Sequence, residues 1–200
     1  MDHPANRQAA QAALEALPEG VQVILDVSPV IGIPQGLPMR DVIVSMNHRE
    51  AQQIINQSAE RALEQGQGHC QEQGQDGEQS QGREADLVAS LVASLLGRPV
   101  VVRAGAAGAY FARPVAATMA ASANAADVTY IPTPRVAAID TNGAGDAHSG
   151  VLAAALAQAI PLERALLLAN CAGAFSTTLV GPAACPARKQ IEAAADALAD

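Results

Sequence analysis

The stretch Asp140-Thr141-Asn142-Gly143-Ala144-Gly145-Asp146 puts a carboxylate at each end of a turn that contains two glycines. Gly143 and Gly145 admit backbone angles closed to other residues and carry no side chain. Successive N–H groups can therefore converge on an anion where a helix begins and its dipole is positive. Such a turn can hold a phosphate. Asp146 falls on the same first turn, where its ionised form is favoured, and it can accept the proton of an attacking hydroxyl. Phosphoryl transfer is catalysed mainly by placement and charge neutralisation, with one proton acceptor orienting the nucleophile. An anion cradle beside a carboxylate is thus a kinase-like pair. By spacing alone the same residues serve equally as caps and turn formers.

The flanking sequence supplies the supports. Upstream, 128–131 and 136–139 are β-like runs; downstream, 148–160 has apolar residues at helical spacing and is closed by Pro161. The reading is strand, glycine turn, helix.

The chain has 200 residues and is 50% hydrophobic, enough to bury a core, but aromatics are only 2% and Trp is absent. Ala, Val, Leu and Ile must therefore build that core, in one domain spanning 1–200. A net charge of −8, with the 12 Lys and Arg scattered, argues against nucleic acid or an anionic membrane as the general partner. Cys70, Cys171 and Cys185 are odd in number and widely spaced, which gives neither a disulfide framework nor a C-x-x-C metal site and fits a reducing cytoplasm. No apolar signal core or span is evident.

From the amino end, 4–17 reads as a helix stopped by Pro18-Glu19-Gly20, 21–27 as a short strand and 29–38 as a Pro/Gly-rich loop. A second strand, 41–45, leads into Asn47-His48-Arg49-Glu50 and a helix to about 57, the βα alternation of a parallel sheet. From 64 to 84 Gln, Gly and Glu dominate and no period survives, so a disordered insertion is expected there. His69-Cys70 lies in it without a second ligand pair and reads as a solvated passenger. Helix 85–96, strand 100–103, a turn framed by Gly105 and Gly108, and strand 109–112 follow, the last two strands as a hairpin. The segment 114–127 reads as irregular, and helices at 162–179 and 186–198 complete the chain around a loop at Gly181-Pro182.

Asp140 to Asp146 resembles the D-T-x-G-A-G-D signature of the ribokinase-like carbohydrate kinases, the phosphofructokinase B type. The likeness extends to Val23-Ile24-Leu25-Asp26 and to Asn47-His48-Arg49-Glu50, which matches the family's N-x-x-E motif. It also takes in 101–108, similar to V-T-L-G-x-x-G, and Asn170 in its Ala-rich helix. The resemblance implies a three-layer αβα, Rossmann-like fold with a mostly parallel sheet, lacking the amino-terminal strands, Gly-Gly motif and lid that grip the sugar.

It also implies roles. Asp146 would be the catalytic base, with Gly143, Ala144 and Gly145 as the anion hole. Asn47, Arg103, Gly105, Gly108 and Asn170 would bind ATP, Asn170 beside the adenine. Glu50 would reach Mg²⁺ through water, and Asp140 and Thr141 would belong to a monovalent cation site for K⁺. Arg103-Ala104 departs from the family's Thr-Leu, and His148 stands where an apolar residue is usual; His148 reads as a helix-face residue rather than a second catalyst. There is no G-x-x-x-x-G-K-[ST] phosphate loop.

The leading expectation is an ATP-dependent carbohydrate kinase acting on a sugar or nucleoside, with a homodimer as the candidate assembly. The alternative is a truncated, non-catalytic module that binds nucleotide or a partner. A third is an α/β module for another anion.

Overall fold

The computed structural model describes residues 4–18, 20–27, 42–64, 78–114, 126–182 and 184–199. In chain order these form α1 (Pro4–Ala16), β1 (Val23–Asp26), β2 (Val42–Asn47), α2 (His48–Glu64), α3 (Glu78–Leu96), β3 (Val100–Arg103), β4 (Ala109–Pro114), β5 (Ala126–Ile131), α4 (Ala144–Ala157), α5 (Leu162–Ser176) and α6 (Arg188–Ala199). The chain divides into two compact units: residues 1–102 with 111–128, and residues 103–110 with 129–200.

The five strands form one sheet in the order β1-β2-β3-β4-β5. β1 and β2 run parallel, with Val23 opposite Val42 and Asp26 opposite Ser45, and the N–H of Val27 continues the ladder to the Ser45 carbonyl at 3.0 Å. Val42 to Met46 are buried without interruption, as are Val100, Val101 and Val102. A continuous β-branched run suits a strand covered on both faces, and no polar alternation is needed. The connection 104–108 is too short for a crossover, so β4 returns antiparallel to β3 and the sheet is mixed. β1 is its end strand, and all four of its residues are half-buried.

In the first unit α3 turns Ala85, Val88, Ala89, Val92 and Ala93 inward, a helical stripe that packs with α2 through Ala51 and Ile54. In the second unit α5 is buried from Ala165 to Ala172 and packs on α4 through Leu152 and Ala155, and on α6 through Ile191 and Ala195. Gly173 makes the α4–α5 approach possible: a Cβ there would stand 3.2 Å from the Ala144 carbonyl and 3.5 Å from the His148 Cβ. No helix among the described residues is long and apolar enough to cross a membrane.

Several expectations are corrected. The run 136–139 is not a strand, and Ile139 is 70% exposed. Pro132 and Pro134 precede it, and the N–H groups of Ile139 and Asp140 donate instead to the Thr177 carbonyl at 2.7 and 3.0 Å. The signature turn therefore follows an extended, proline-containing segment. α2 runs to Glu64 rather than about 57, and α3 begins at Glu78, so the segment read as structureless from 64 to 84 is helical at both ends. Glu, Gln, Arg and Ala favour helix even without a strong apolar period. Residues 65–77, with His69 and Cys70, lie outside the described residues, as does most of 114–127, whose last residues open β5.

α5 ends at Ser176, short of 179. The hydroxyls of Ser176, Thr177 and Thr178 each donate to the carbonyl three residues back, and the N–H groups of Thr177, Thr178 and Leu179 do likewise. Such short bonds tighten and terminate a final turn.

Candidate active site

Thr177, at the end of α5, receives the chain entering the signature turn, and Asp140 fixes the turn's other connections. Its Oδ1 accepts the N–H of Asn142 and its Oδ2 the N–H of Gly181, both at 3.0 Å. The N–H of Asn142, then that of Gly181, hold the Asp140 carboxyl below the usual carboxylate range. Gly143 caps α4 in the left-handed region at φ +78°, where a residue without Cβ is favoured. The helix then starts at Ala144, whose N–H donates to the Thr141 carbonyl at 3.3 Å, while the N–H of Ala147 reaches the Gly143 carbonyl at 2.9 Å.

Between those two bonds, the N–H groups of Gly145 and Asp146 have no acceptor among the described residues. They are the orphan donors of a helix start, at its positive end. The Asp146 side chain is exposed on the same turn. His148, on the next turn of α4, is 2% exposed, with its Cβ against Gly173 of α5.

The end of β3 reaches the same turn. Arg103 Nη1 donates to the Gly145 carbonyl at 3.4 Å and to Ser149 Oγ at 3.2 Å. A Cβ on Gly145 would stand 3.3 Å from Nη2, so the missing side chain leaves room for the guanidinium. Gly105 and Gly108 bracket a 3₁₀ turn, at φ +59° and +89°, closed by Ala104 N–H to the Gly108 carbonyl at 2.8 Å. Gly108 also lies against the end of β5: a Cβ would come within 2.6 Å of the Ile131 carbonyl oxygen and 2.8 Å of the Tyr130 ring. Tyr130, 53% exposed, meets the Tyr110 ring at 5.4 Å between centroids, the planes tilted by 50°.

Asn170 stands buried in α5 and ties that helix to the chain leaving β5. Its Nδ2 donates to the Ile131 and Pro132 carbonyls, each at 3.0 Å. Both amide hydrogens are thereby committed, and Oδ1 is the atom that can address a ligand.

In the first unit Asn47 and Glu50 bond one another reciprocally. The Glu50 N–H donates to Asn47 Oδ1 at 2.9 Å, and Glu50 Oε2 accepts the Asn47 N–H at 2.7 Å. This is a capping box, with Asn in the usual Ser/Thr place, and it starts α2. Among the described residues no three His, Cys, Asp or Glu side chains gather as a direct metal cage. The donor chemistry fits a hydrated magnesium ion approached by Glu50 Oε1 through water. It fits a monovalent cation at Asp140 through the second lone pairs of oxygens that already accept N–H bonds.

The second unit thus brings together Arg103, Gly105, Gly108, Asp140, Thr141, Gly143 to Asp146 and Asn170, while Asn47 and Glu50 pair in the first. Sequence reasoning missed Ser149, Gly173 and Tyr130, and it gave Pro182 only a loop position. The polar Ser149 in an otherwise Ala-rich helix was the one signal available.

Among solved structures, ribokinase from Thermotoga maritima is similar over 93% of this chain and 52% of its own, at 21% identity and TM-score 0.64. Ribokinase from Cryptococcus neoformans var. grubii serotype A, solved with ADP, matches over 94% of this chain and 56% of its own, at 17% identity and TM-score 0.68. Phosphofructokinase-2 from Escherichia coli, solved with potassium, matches over 99% and 63%, at 16% identity and TM-score 0.58. The chain spans about half the length of the ribokinases it matches, and its α/β fold is ribokinase-like. No curated protein matches the sequence closely enough to count as a relative. The family model described as pfkB family carbohydrate kinase matches residues 2–189, nearly the whole sequence, and the chain belongs to that family.

Proposed function

We propose that the chain is the nucleotide-binding and catalytic part of an ATP-dependent kinase that phosphorylates a sugar or nucleoside hydroxyl. The observation that carries this reading is the start of α4, where the N–H groups of Gly145 and Asp146 have no acceptor among the described residues beside the exposed Asp146 carboxylate. The solved complexes of the Cryptococcus ribokinase with ADP and of the E. coli enzyme with potassium support ATP as donor and K⁺ as ion.

In the proposed reaction the acceptor hydroxyl gives its proton to the Asp146 carboxylate as its oxygen bonds to the γ-phosphorus. The bond from that phosphorus to the β–γ bridging oxygen breaks, and ADP leaves. Gly143, Ala144 and Gly145 shape the turn whose amides neutralise the moving phosphoryl charge. Gly105, Gly108 and Asn170 Oδ1 would line the nucleotide, and Asn47 is proposed as a further nucleotide-binding residue. Magnesium, held through water by Glu50, would supply charge neutralisation at the phosphates, and Asp140 and Thr141 would hold the monovalent cation. The partners proposed are a sugar or nucleoside and a second copy of the chain. Free Cys171 and Cys185 fit a reducing cytoplasm.

Asp146→Asn should lower turnover by roughly three orders of magnitude while ATP affinity stays within about threefold. Retained turnover in that variant removes Asp146 from the mechanism.

The second reading is a module that binds nucleotide or a partner without catalysis. Phosphoryl transfer from ATP to any member of a panel of sugars and nucleosides would eliminate it.

A further inference from the structure

We propose that one flank of α3 is a contact surface for a second copy of this chain, two α3 helices pairing antiparallel about Leu91. This gives a surface to the second copy in the reading above, on which it rests. A single leucine in water needs no explanation. Among the described residues, the large apolar side chains left exposed on any helix are Leu87, at 64%, and Leu95, at 51%, both on α3. Leu91, half-buried, stands midway between them. Residues four apart on a helix lie one above the other, so the three make a continuous apolar row over about two turns. The row is separate from the inward stripe of Ala85, Val88, Ala89, Val92 and Ala93.

The spacing of the row selects the partner. When a two-fold axis relates identical subunits and residue i meets residue j, j must also meet i. Leucines at equal steps on either side of Leu91 satisfy that condition when the helices run in opposite directions. Leu91 then meets Leu91 of the partner subunit, and Leu87 meets Leu95 of the partner subunit. Charge agrees with this direction. Exposed Glu84 lies three residues before Leu87, and Arg98 lies three residues after Leu95. Gly97 turns left-handed at φ +60°, and the Arg98 N–H donates to the Ala93 carbonyl at 3.3 Å, which folds Arg98 back against the end of α3. The acidic end of one helix therefore faces the basic end of the other. Arg98 already makes a further interaction within its own chain, so the leucines carry the contact and the charges set its direction. Three leucines a side are far fewer than the roughly 20–30 residues of a standard interface, so the pair is weak, with a dissociation constant expected at roughly 10–500 μM.

The test is sedimentation velocity of the unaltered chain from about 5 to 500 μM, where the sedimentation coefficient should rise with concentration towards that of a dimer. Leu87→Lys and Leu95→Lys, both at exposed positions, should each weaken dimerisation at least about tenfold and leave the urea midpoint nearly unchanged. Crosslinking reads the direction. In a Cys70→Ser, Cys185→Ser background, a short thiol-to-thiol crosslinker should join Leu91→Cys chains to one another. It should join Leu87→Cys chains to Leu95→Cys chains far faster than to themselves. A monomer at every concentration would overturn both this pairing and the second-copy reading. A dimer that survives both lysine variants would keep the second copy but sink this surface, since the copies would meet elsewhere. Leu87→Cys chains that link to themselves as fast as to Leu95→Cys chains would overturn the antiparallel arrangement.

Discussion

Gly143 lies so close to the backbone of Pro182 that a methyl group on it would meet the Pro182 carbonyl oxygen and come within 2.8 Å of the carbonyl carbon. Backbone cannot step aside as a flexible side chain can. With the bond from Gly181 N–H to Asp140 Oδ2, this contact clamps the turn against the loop that follows α5. The amides that start α4 owe their direction to that clamp.

Gly143→Ala is therefore expected to cost more than the left-handed backbone alone, about 1–2 kcal/mol for a residue with a Cβ. Gly105→Ala is the matched control, since φ is +59° there but nothing lies within 4 Å of the added Cβ. Urea unfolding should show Gly143→Ala destabilised by roughly 2–4 kcal/mol and Gly105→Ala by about half as much. Equal losses at the two positions would show that Pro182 yields.

Asp140 gives the clamp a pH dependence of definite sign. The N–H of Asn142, then that of Gly181, depress its carboxyl, so the folded chain binds this proton less readily than the unfolded one. The stabilisation is complete above the unfolded carboxyl value of about 3.9 and disappears as pH falls through the lower folded value. Melting temperatures measured from pH 7 downwards should fall less steeply below pH 4 in Asp140→Asn than in the unaltered chain, with the variant already lower at pH 7. Parallel acid limbs would deny Asp140 this role.

Asn47 and Glu50 carry a structural duty and a proposed chemical one, and two substitutions separate them. Asn47→Ala removes the acceptor for the Glu50 N–H and should cost about 1 kcal/mol of stability. Glu50→Gln keeps an oxygen for the Asn47 N–H, since Gln serves in capping boxes, but removes the charge that in the proposed reaction would hold hydrated magnesium. It should leave the urea midpoint nearly unchanged and raise the magnesium concentration needed for half-maximal turnover by roughly tenfold or more. An unchanged magnesium requirement would leave Glu50 as a cap alone.

Much of this was legible in the sequence because its causes are local. The left-handed cap at Gly143, the helix start at Ala144 and the three-residue spacing of Asn47 and Glu50 each depend on neighbours within a turn. So does the 3₁₀ turn between Gly105 and Gly108. The run 136–139 misled because β propensity says nothing about where N–H groups go, and here those of Ile139 and Asp140 are taken by Thr177. Arg103 and Ser149 meet across 46 residues of sequence, and Gly143 meets Pro182 across a helix pair; no local pattern encodes either. Asn170 was singled out through the family resemblance alone, and the bonds of its side-chain amide to the Ile131 and Pro132 carbonyls, 39 and 38 residues away, are beyond any local pattern.

Cys171 offers a reading of how firmly α5 holds the site's floor. Its thiol is fully buried, and burial pushes it up to about 11 despite the opposing charge of Arg164, so at pH 8 only on the order of one in a thousand is thiolate. Cys185 is exposed and should react with an aromatic disulfide reagent directly. In a Cys70→Ser background, labelling at pH 8 should be biphasic, one thiol fast and the second slower by at least about a thousandfold. Because Cys171 follows Asn170, whose bonds join α5 to the chain after β5, Asn170→Ala should speed the slow phase and leave the fast one alone. A slow phase that ignores Asn170→Ala would mean that α5 opens without releasing Ile131 and Pro132, and that the buried amide does not anchor it.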